Sequence, residues 1–226
     1  VLLSVYSLLF MFPAAIVFAL LLNEVRNRWF KSWVQTLSYM PHFISLVVIC
    51  GMILDFLQPD GIINRMLVAL HIVKEPINFM ILPEWFRTIY IGSGLWQSVG
   101  WNSIIYLAAL SAINPTLYEA AVVDGANRWK QLWHVTLPGI MPTVIILLIL
   151  NVGHLMSVGF DKIILLYNPA TYETADVIST FVYRRGVLEA NYSFSAAVGL
   201  FNSVINFALL VTANRISRKM TESSLW

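Results

Sequence analysis

"EAAVVDGANRWKQLWHVTLP", Glu119 to Pro138, sets two acids, two bases and a histidine between two strongly apolar stretches. Thr116 stands three residues before Glu119, the spacing of a capping box. That spacing predicts a short helix capped by Thr116, with Glu119 answering at the positive helix end. Ala120 and Ala121 continue the helix, and Asp124-Gly125-Ala126 predicts its stop, because glycine enters the left-handed region without steric cost. From Arg128 a second helix is expected, with Trp129, Leu132 and Trp133 on one face. Leu137 and Pro138 open the next apolar run, where proline is tolerated in a first turn. The residues alone leave two readings of this segment. It is either a connector hugging a bilayer or a rigid helix that docks a cytoplasmic partner.

The rest of the chain supplies the bilayer. Of 226 residues, 58% are hydrophobic and 12% charged, about half the charge of a soluble domain. The mean hydropathy is +0.73. Such a chain cannot cover a globule with polar surface, so lipid is its expected solvent. A crossing helix needs about 20 apolar residues. Five stretches qualify, at about 1–22 (with a kink expected at Pro13), 37–57, 88–113, 139–158 and 196–213. The fold class expected is therefore an all-α integral membrane protein, a single transmembrane domain over residues 1–226.

Lys and Arg set the orientation. Arg26, Arg28 and Lys31, then Arg128 and Lys130, then Arg215, Arg218 and Lys219 fall in alternate connections and face the cytoplasm. Trp226 is expected on that side too. The two long connections containing "QPDGIINRML" and "YNPATYETADVISTFVYRRG" lie outside. Trp85 and Trp96 are expected at the outer interface, and Trp29 and Trp33 at the inner one. Cys50 is the single cysteine. It excludes a disulfide framework and reads as a small core hydrophobe.

The fixed letters Glu119-Ala120-Ala121, Asp124-Gly125-Ala126 and Val135-Thr136-Leu137-Pro138 resemble the EAA loop of ABC importer permease subunits. "FALLLNEVRN", "YMPHFISLVV", "LYEAAVVDGA" and "LLYNPATYETADVISTFVYRRG" are similar to the carbohydrate branch of that family, above all to permeases for polysaccharide fragments and complex oligosaccharides. The resemblance implies a coupling helix seated on a cytoplasmic ATPase. Thr116, Glu119, Ala120, Ala121, Asp124, Gly125, Ala126, Leu137 and Pro138 would form that coupling element. It implies six spans in the full chain, hence a natural N-terminal segment upstream of Val1. It also implies a second homologous permease subunit, two ATPase subunits holding ATP and Mg, and an extracytoplasmic solute-binding protein. The setting is the bacterial cytoplasmic (inner) membrane, and nucleic acid is not among the expected partners. No cofactor is expected in this chain, which lacks a G-x-x-x-x-G-K-[ST] phosphate loop.

Polar residues inside apolar runs are costly and mark candidate functional positions. Gln97, Trp101, Asn102, Asn151, His154, Asn202 and Asn206 are candidates for a saccharide path, since amides bind hydroxyls and aromatic faces stack on sugar rings. Helix–helix hydrogen bonding is the alternative for each. Asn168, Tyr172 and Glu173, in the second outer connection, are candidates for docking the binding protein. A permease for another solute (a peptide or a phosphodiester) is the alternative within transport. An intramembrane enzyme is the alternative outside it, but His42, His71, His134 and His154 form no H-E-x-x-H metal motif.

Overall fold

The computed structural model describes residues 1–157 and 159–221. The outer limit of the fourth expected span, Val158, and the placing of Trp226 lie outside these residues. Every regular element among them is helical.

α1 (Leu2–Glu24) is 23 residues long and keeps Pro13 inside it, reaching about 35 Å at 1.5 Å per residue. The small residues Ala15 and Ala19 are buried and let α1 approach Tyr106, Leu110 and Ile140. α2 (Arg28–Tyr39) starts where Asn27 Oδ1 accepts from the backbone N–H of Trp29 (3.0 Å) and Phe30 (3.2 Å). It has no buried residue. Gly100 makes room for it, because a β-carbon there would collide with the Ser38 carbonyl.

The second expected span, 37–57, is not one helix. α2 ends at Tyr39, a 3-10 turn covers Met40–Phe43, and Ile44 turns extended with ψ 134°. Only then does α3 (Leu46–Leu57) begin. Pro41 lacks the N–H that a continuous helix needs, and His42 stacks flat on Trp101 with centroids 4.4 Å apart. A second break follows. Gly61 N–H donates to Gln58 C=O at 2.9 Å, and α4 (Ile62–Ala69) starts afterwards. Leu46–Ala69 is apolar and long enough to cross a membrane as a stretch, but the turn divides it into two rods.

α5 (Pro83–Ser111) has 29 residues, with Pro83 in its first turn and Glu84 at its positive end. Its serines are satisfied within the helix: Ser98 Oγ donates to Gly94 C=O (2.7 Å) and Ser103 Oγ to Gly100 C=O (2.6 Å). Among the described residues four stretches are long and apolar enough to cross a membrane, namely Leu2–Glu24, Leu46–Ala69, Arg128–Gly153 and Tyr192–Lys219. The more polar α5 is not one of them, so the count established by composition is four rather than the five expected.

The charged segment from Glu119 lies in α6 (Pro115–Val123), the turn after it and α7 (Arg128–Gln131). A π-helical turn, Leu132–Thr136, joins α7 without interruption to α8 (Leu137–Gly153). The fourth span therefore belongs to one helix starting at Arg128 rather than near residue 139. Leu137 N–H reaches back five residues to Leu132 C=O. That wider turn takes up the donor missing at Pro138.

In the second connection expected outside, α9 (Phe160–Leu166), α10 (Tyr172–Ala175) and α11 (Ile178–Val182) precede a π-helical turn, Tyr183–Leu188. α12 (Tyr192–Thr221) then packs on α8. The two outer connections lock together. Asn168 Nδ2 donates to Met80 C=O (2.7 Å), and Thr174 Oγ1 to Pro83 C=O (2.6 Å). Arg184 grips Asp176 through both terminal nitrogens (3.0 and 2.5 Å) and lies over the Tyr172 ring at 4.4 Å.

Burial works against the Asp176 charge, but hydrogen bonds from Arg184 and Thr180 and the Arg184 charge outweigh it, so the carboxyl sits below its ordinary 3.8. A depressed carboxyl adds stability above its unfolded value and loses it as pH falls through the folded one. The protease resistance of residues 168–186 is therefore expected to stay level from neutral pH down to about 4 and to fall below that. Asp176→Asn should lower resistance at neutral pH and flatten the acid limb. An unchanged profile in the variant would show that the clamp contributes nothing.

Candidate coupling loop and transport path

α6 is capped by Asn114, not Thr116. Asn114 Oδ1 accepts from the Thr116 N–H at 3.0 Å, and Pro115 takes the first helical position. The capping-box expectation is thereby corrected: Thr116 lies inside the first turn, and Glu119 lies one turn further on. The stop at Gly125 has the form expected. Gly125 sits at φ +74°. Its N–H donates to Val122 C=O (3.0 Å), and Ala126 N–H donates to Ala121 C=O (2.8 Å). This pair of bonds is a Schellman motif, which needs a left-handed residue at Gly125. Asn127 then caps the next helix by accepting from Lys130 N–H at 2.9 Å.

Side chains hold this loop to two spans. Arg128 Nη1 bonds Glu24 Oε2 at the end of α1, at 2.9 Å. Both groups are more than half exposed, so the pair contributes less than about 1 kcal/mol and its value is positional. Tyr118 Oη and Thr136 Oγ1 lie 3.0 Å apart, with Thr136 buried. Gln131 Nε2 also donates to Ala126 C=O at 2.9 Å. None of α6 is buried. Glu119, Ala120, Asp124, Gly125 and Pro138 are exposed, while Ala121, Ala126 and Leu137 are half-buried. Val122 and Val123 are 61% and 87% exposed. A short apolar helix thus stands off the body on a rigid turn; its own Tyr118 ties it to the turn ahead of α8, and Arg128, just beyond it, ties the loop to α1.

The polar candidates separate. A cavity of about 270 Å³ lies between α1, α5 and α8; Asn102, Asn151 and His154 line it together with Ser7 and Tyr106. Ser7 Oγ is buried there without a hydrogen-bond partner. The sequence gave no separate signal for Ser7, whose neighbours are apolar. Trp101 is elsewhere, stacked on His42. Gln97 is half-buried and does not line the cavity. Asn206 holds the end of α8: it accepts from Met156 N–H (3.1 Å) and donates to Ser157 Oγ (2.9 Å). Asn202 Oδ1 is buried and unpartnered.

The outer trio also divides. Asn168 is a cap and a tie to Met80. Tyr172 is half-buried between Tyr167 and Arg184. Glu173 is exposed.

The family model described as the inner membrane component of binding-protein-dependent transport systems matches residues 11–222. The chain belongs to that family. The polygalacturonan/rhamnogalacturonan transport system permease YteP of Bacillus subtilis (strain 168) is 43% identical over 97% of this chain and 68% of its own length. Protein LplB of the same organism is 40% identical over 97% of this chain and 69% of its own. A solved bacterial alginate ABC transporter, in complex with alginate pentasaccharide-bound periplasmic protein, contains a chain of the same fold. It aligns with a TM-score of 0.95 at 48% identity over 99% of this chain and 77% of that one.

This protein is a transmembrane permease subunit of an ABC-type importer for carbohydrates. It is a multi-pass α-helical protein of the inner membrane, works with a solute-binding protein and further permease components, and is a transporter rather than an enzyme. Among the described residues no group of His, Cys, Asp and Glu could hold a metal ion.

Proposed function

We propose that this permease imports acidic oligosaccharides and that α6 is the element through which cytoplasmic ATPases drive it. The observation that carries the mechanism is the double attachment of the loop that carries α6: Tyr118 of α6 to Thr136 ahead of α8, and Arg128, at the start of the next helix, to Glu24 of α1. A push on α6 is transmitted to two spans at once. Both spans border the cavity that holds Asn102, Asn151, His154 and Ser7, so the push changes the shape of that cavity. This is the alternating-access step.

In this reading α5 also crosses the membrane, which makes five spans. A second, related permease completes the path, two ATPase subunits bind ATP and Mg, and the binding protein docks outside near Asn168, Tyr172 and Glu173. Thr116, Glu119, Ala120, Ala121, Asp124, Gly125, Ala126, Leu137 and Pro138 form the ATPase contact or its support. Gln97, Trp101, Asn202 and Asn206 shape the path by packing rather than by touching sugar. The acidic substrate class is supported by the relatives, named for polygalacturonan and alginate.

The test is ATPase activity of the whole reconstituted complex. Binding protein loaded with trigalacturonate should stimulate hydrolysis severalfold and support uptake, and maltotriose should do neither. Stimulation by maltotriose alone, or by a peptide, would remove the substrate class and leave the coupling element standing.

A further inference from the structure

A second cavity, of about 480 Å³, opens between the first turns of α1 and α5, on the outer side by the charge-based orientation. Tyr6 and Phe10 of α1 line one wall, and Glu84, Arg87 and Thr88 of α5 line the other. Arg87 is half-buried, and its Nε is shielded from solvent without an acceptor. Among the described residues it forms no ion pair; Glu84 borders the same cavity without pairing with it. Arg128, Arg184 and Arg185, by contrast, each pair with a carboxylate. An arginine is always charged, and Arg87 brings that charge to the cavity wall with no carboxylate partner, so an anion entering the cavity meets an unneutralised guanidinium.

We infer that this cavity is an outer subsite for the carboxylate-bearing sugar ring of an acidic saccharide, held by Arg87. The planar guanidinium fork matches a carboxylate in two-point contact. Tyr6 and Phe10, with centroids 6.4 Å apart and planes inclined by 37°, present apolar faces to the apolar face of a sugar ring. The Glu84 carboxylate accepts from sugar hydroxyls, and Thr88 Oγ1 exchanges hydrogen bonds with them. This acid beside the base disfavours a bare anion and favours one that brings hydroxyl donors with it. The subsite flanks α1 on the face next to the path cavity, since Tyr6 and Phe10 precede Ser7 and Met11 by one residue each. A saccharide leaving the binding protein would meet it before entering the path.

The inference rests on the acidic-substrate reading, and two measurements keep them apart. The first needs no binding protein. The complete complex carrying Thr88→Cys is placed in nanodiscs, and thiol labelling at position 88 is followed by peptide mass. Trigalacturonate should slow labelling, its methyl ester should not, and Arg87→Gln should abolish protection, raising the concentration needed by about tenfold or more. Gly92→Leu is a second variant. A β-carbon at Gly92, on the cavity wall, meets nothing within 4 Å, so a larger side chain is accepted there and narrows the cavity, and it should also abolish protection.

Protection by anionic phospholipid in place of sugar would overturn the inference in favour of a lipid headgroup. So would labelling that is blocked in every condition, because another chain segment then covers the site. The second measurement is uptake. If the wild-type complex imports trigalacturonate and Arg87→Gln imports it equally well, the subsite falls and the substrate reading stands. If the wild type imports none, the substrate reading falls, and the labelling result decides the site by itself.

Discussion

Gly125→Val is expected to leave the permease inserted and the ATPases catalytically intact, while uptake stops following ATP hydrolysis. The effect originates in one backbone angle. Gly125 holds φ +74°, and nothing lies within 4 Å of where its β-carbon would be. The substitution therefore creates no clash, and its whole effect is conformational. A left-handed residue with a β-carbon costs about 1–2 kcal/mol, and a β-branched one more, because it is a true outlier there.

The cheapest relief is to give up the left-handed turn. That breaks the bonds from Gly125 N–H to Val122 and from Ala126 N–H to Ala121. With them goes the fixed angle between α6 and the helix starting at Arg128, so α6 no longer points into its partner. The measurement is ATPase activity of the reconstituted complex, with and without loaded binding protein, beside uptake. Stimulation should be lost and uptake should fall by about tenfold or more, since 1.4 kcal/mol is already tenfold. Gly125→Asn is the control, because asparagine tolerates the left-handed region, and it should retain most coupling. Normal stimulation and uptake in Gly125→Val would mean that α6 is not the transmission element.

The loop was legible because its letters act locally. Gly125 after Asp124, and Pro138 at the head of an apolar run, follow from backbone rules within a few residues. The cap was misassigned although its signal was present. Pro115 favours the first helical position, which makes Asn114 the cap and places Thr116 inside. The span at 37–57 was misread for a different reason. Hydropathy averages over Pro41 and the 3-10 turn that it starts, so a broken stretch scores like a whole one. Conversely, α5 was counted as a span on length and pattern, while its serines and amides hold it below the other four helices in apolarity.

What the sequence could not show is pairing at a distance. Glu24 and Arg128 are 104 residues apart, and no periodicity joins them. The grouping of Asn102, Asn151 and His154 around one cavity, with Trp101 and Asn206 turned to packing, depends on how α1, α5 and α8 meet. The unpartnered state of Arg87 likewise appears only once its neighbours are in place.

Asn64 carries the second large effect, and it stood in the sequence as an unremarked residue of a short apolar helix. It is wholly buried. Its Nδ2 donates to Gln58 C=O (2.7 Å) and Ile77 C=O (2.8 Å), and its Oδ1 accepts from Ile77 N–H at 2.8 Å. One amide thus closes the first outer connection by imitating a backbone pair with Ile77. Asn64→Leu keeps the volume and removes every bond. Gln58 C=O retains the Gly61 N–H, but both polar groups of Ile77 lose their partner. Each such loss costs about 1–3 kcal/mol, so roughly 2–6 kcal/mol is expected against a total stability of only about 5–15. Thermal unfolding in detergent should move down sharply, and limited proteolysis should open at residues 70–78 first. Asn64→Asp should not rescue, because it keeps the acceptor for Ile77 N–H but sets a carboxylate against two carbonyls. Residues 70–78 lead into Phe79 and Met80, where Asn168 joins the two outer connections. Loss of the Asn64 bonds should therefore weaken stimulation by the binding protein while basal hydrolysis by the ATPase subunits remains. An Asn64→Leu protein that melts and cleaves like the wild type would show that the outer connection is held by packing alone.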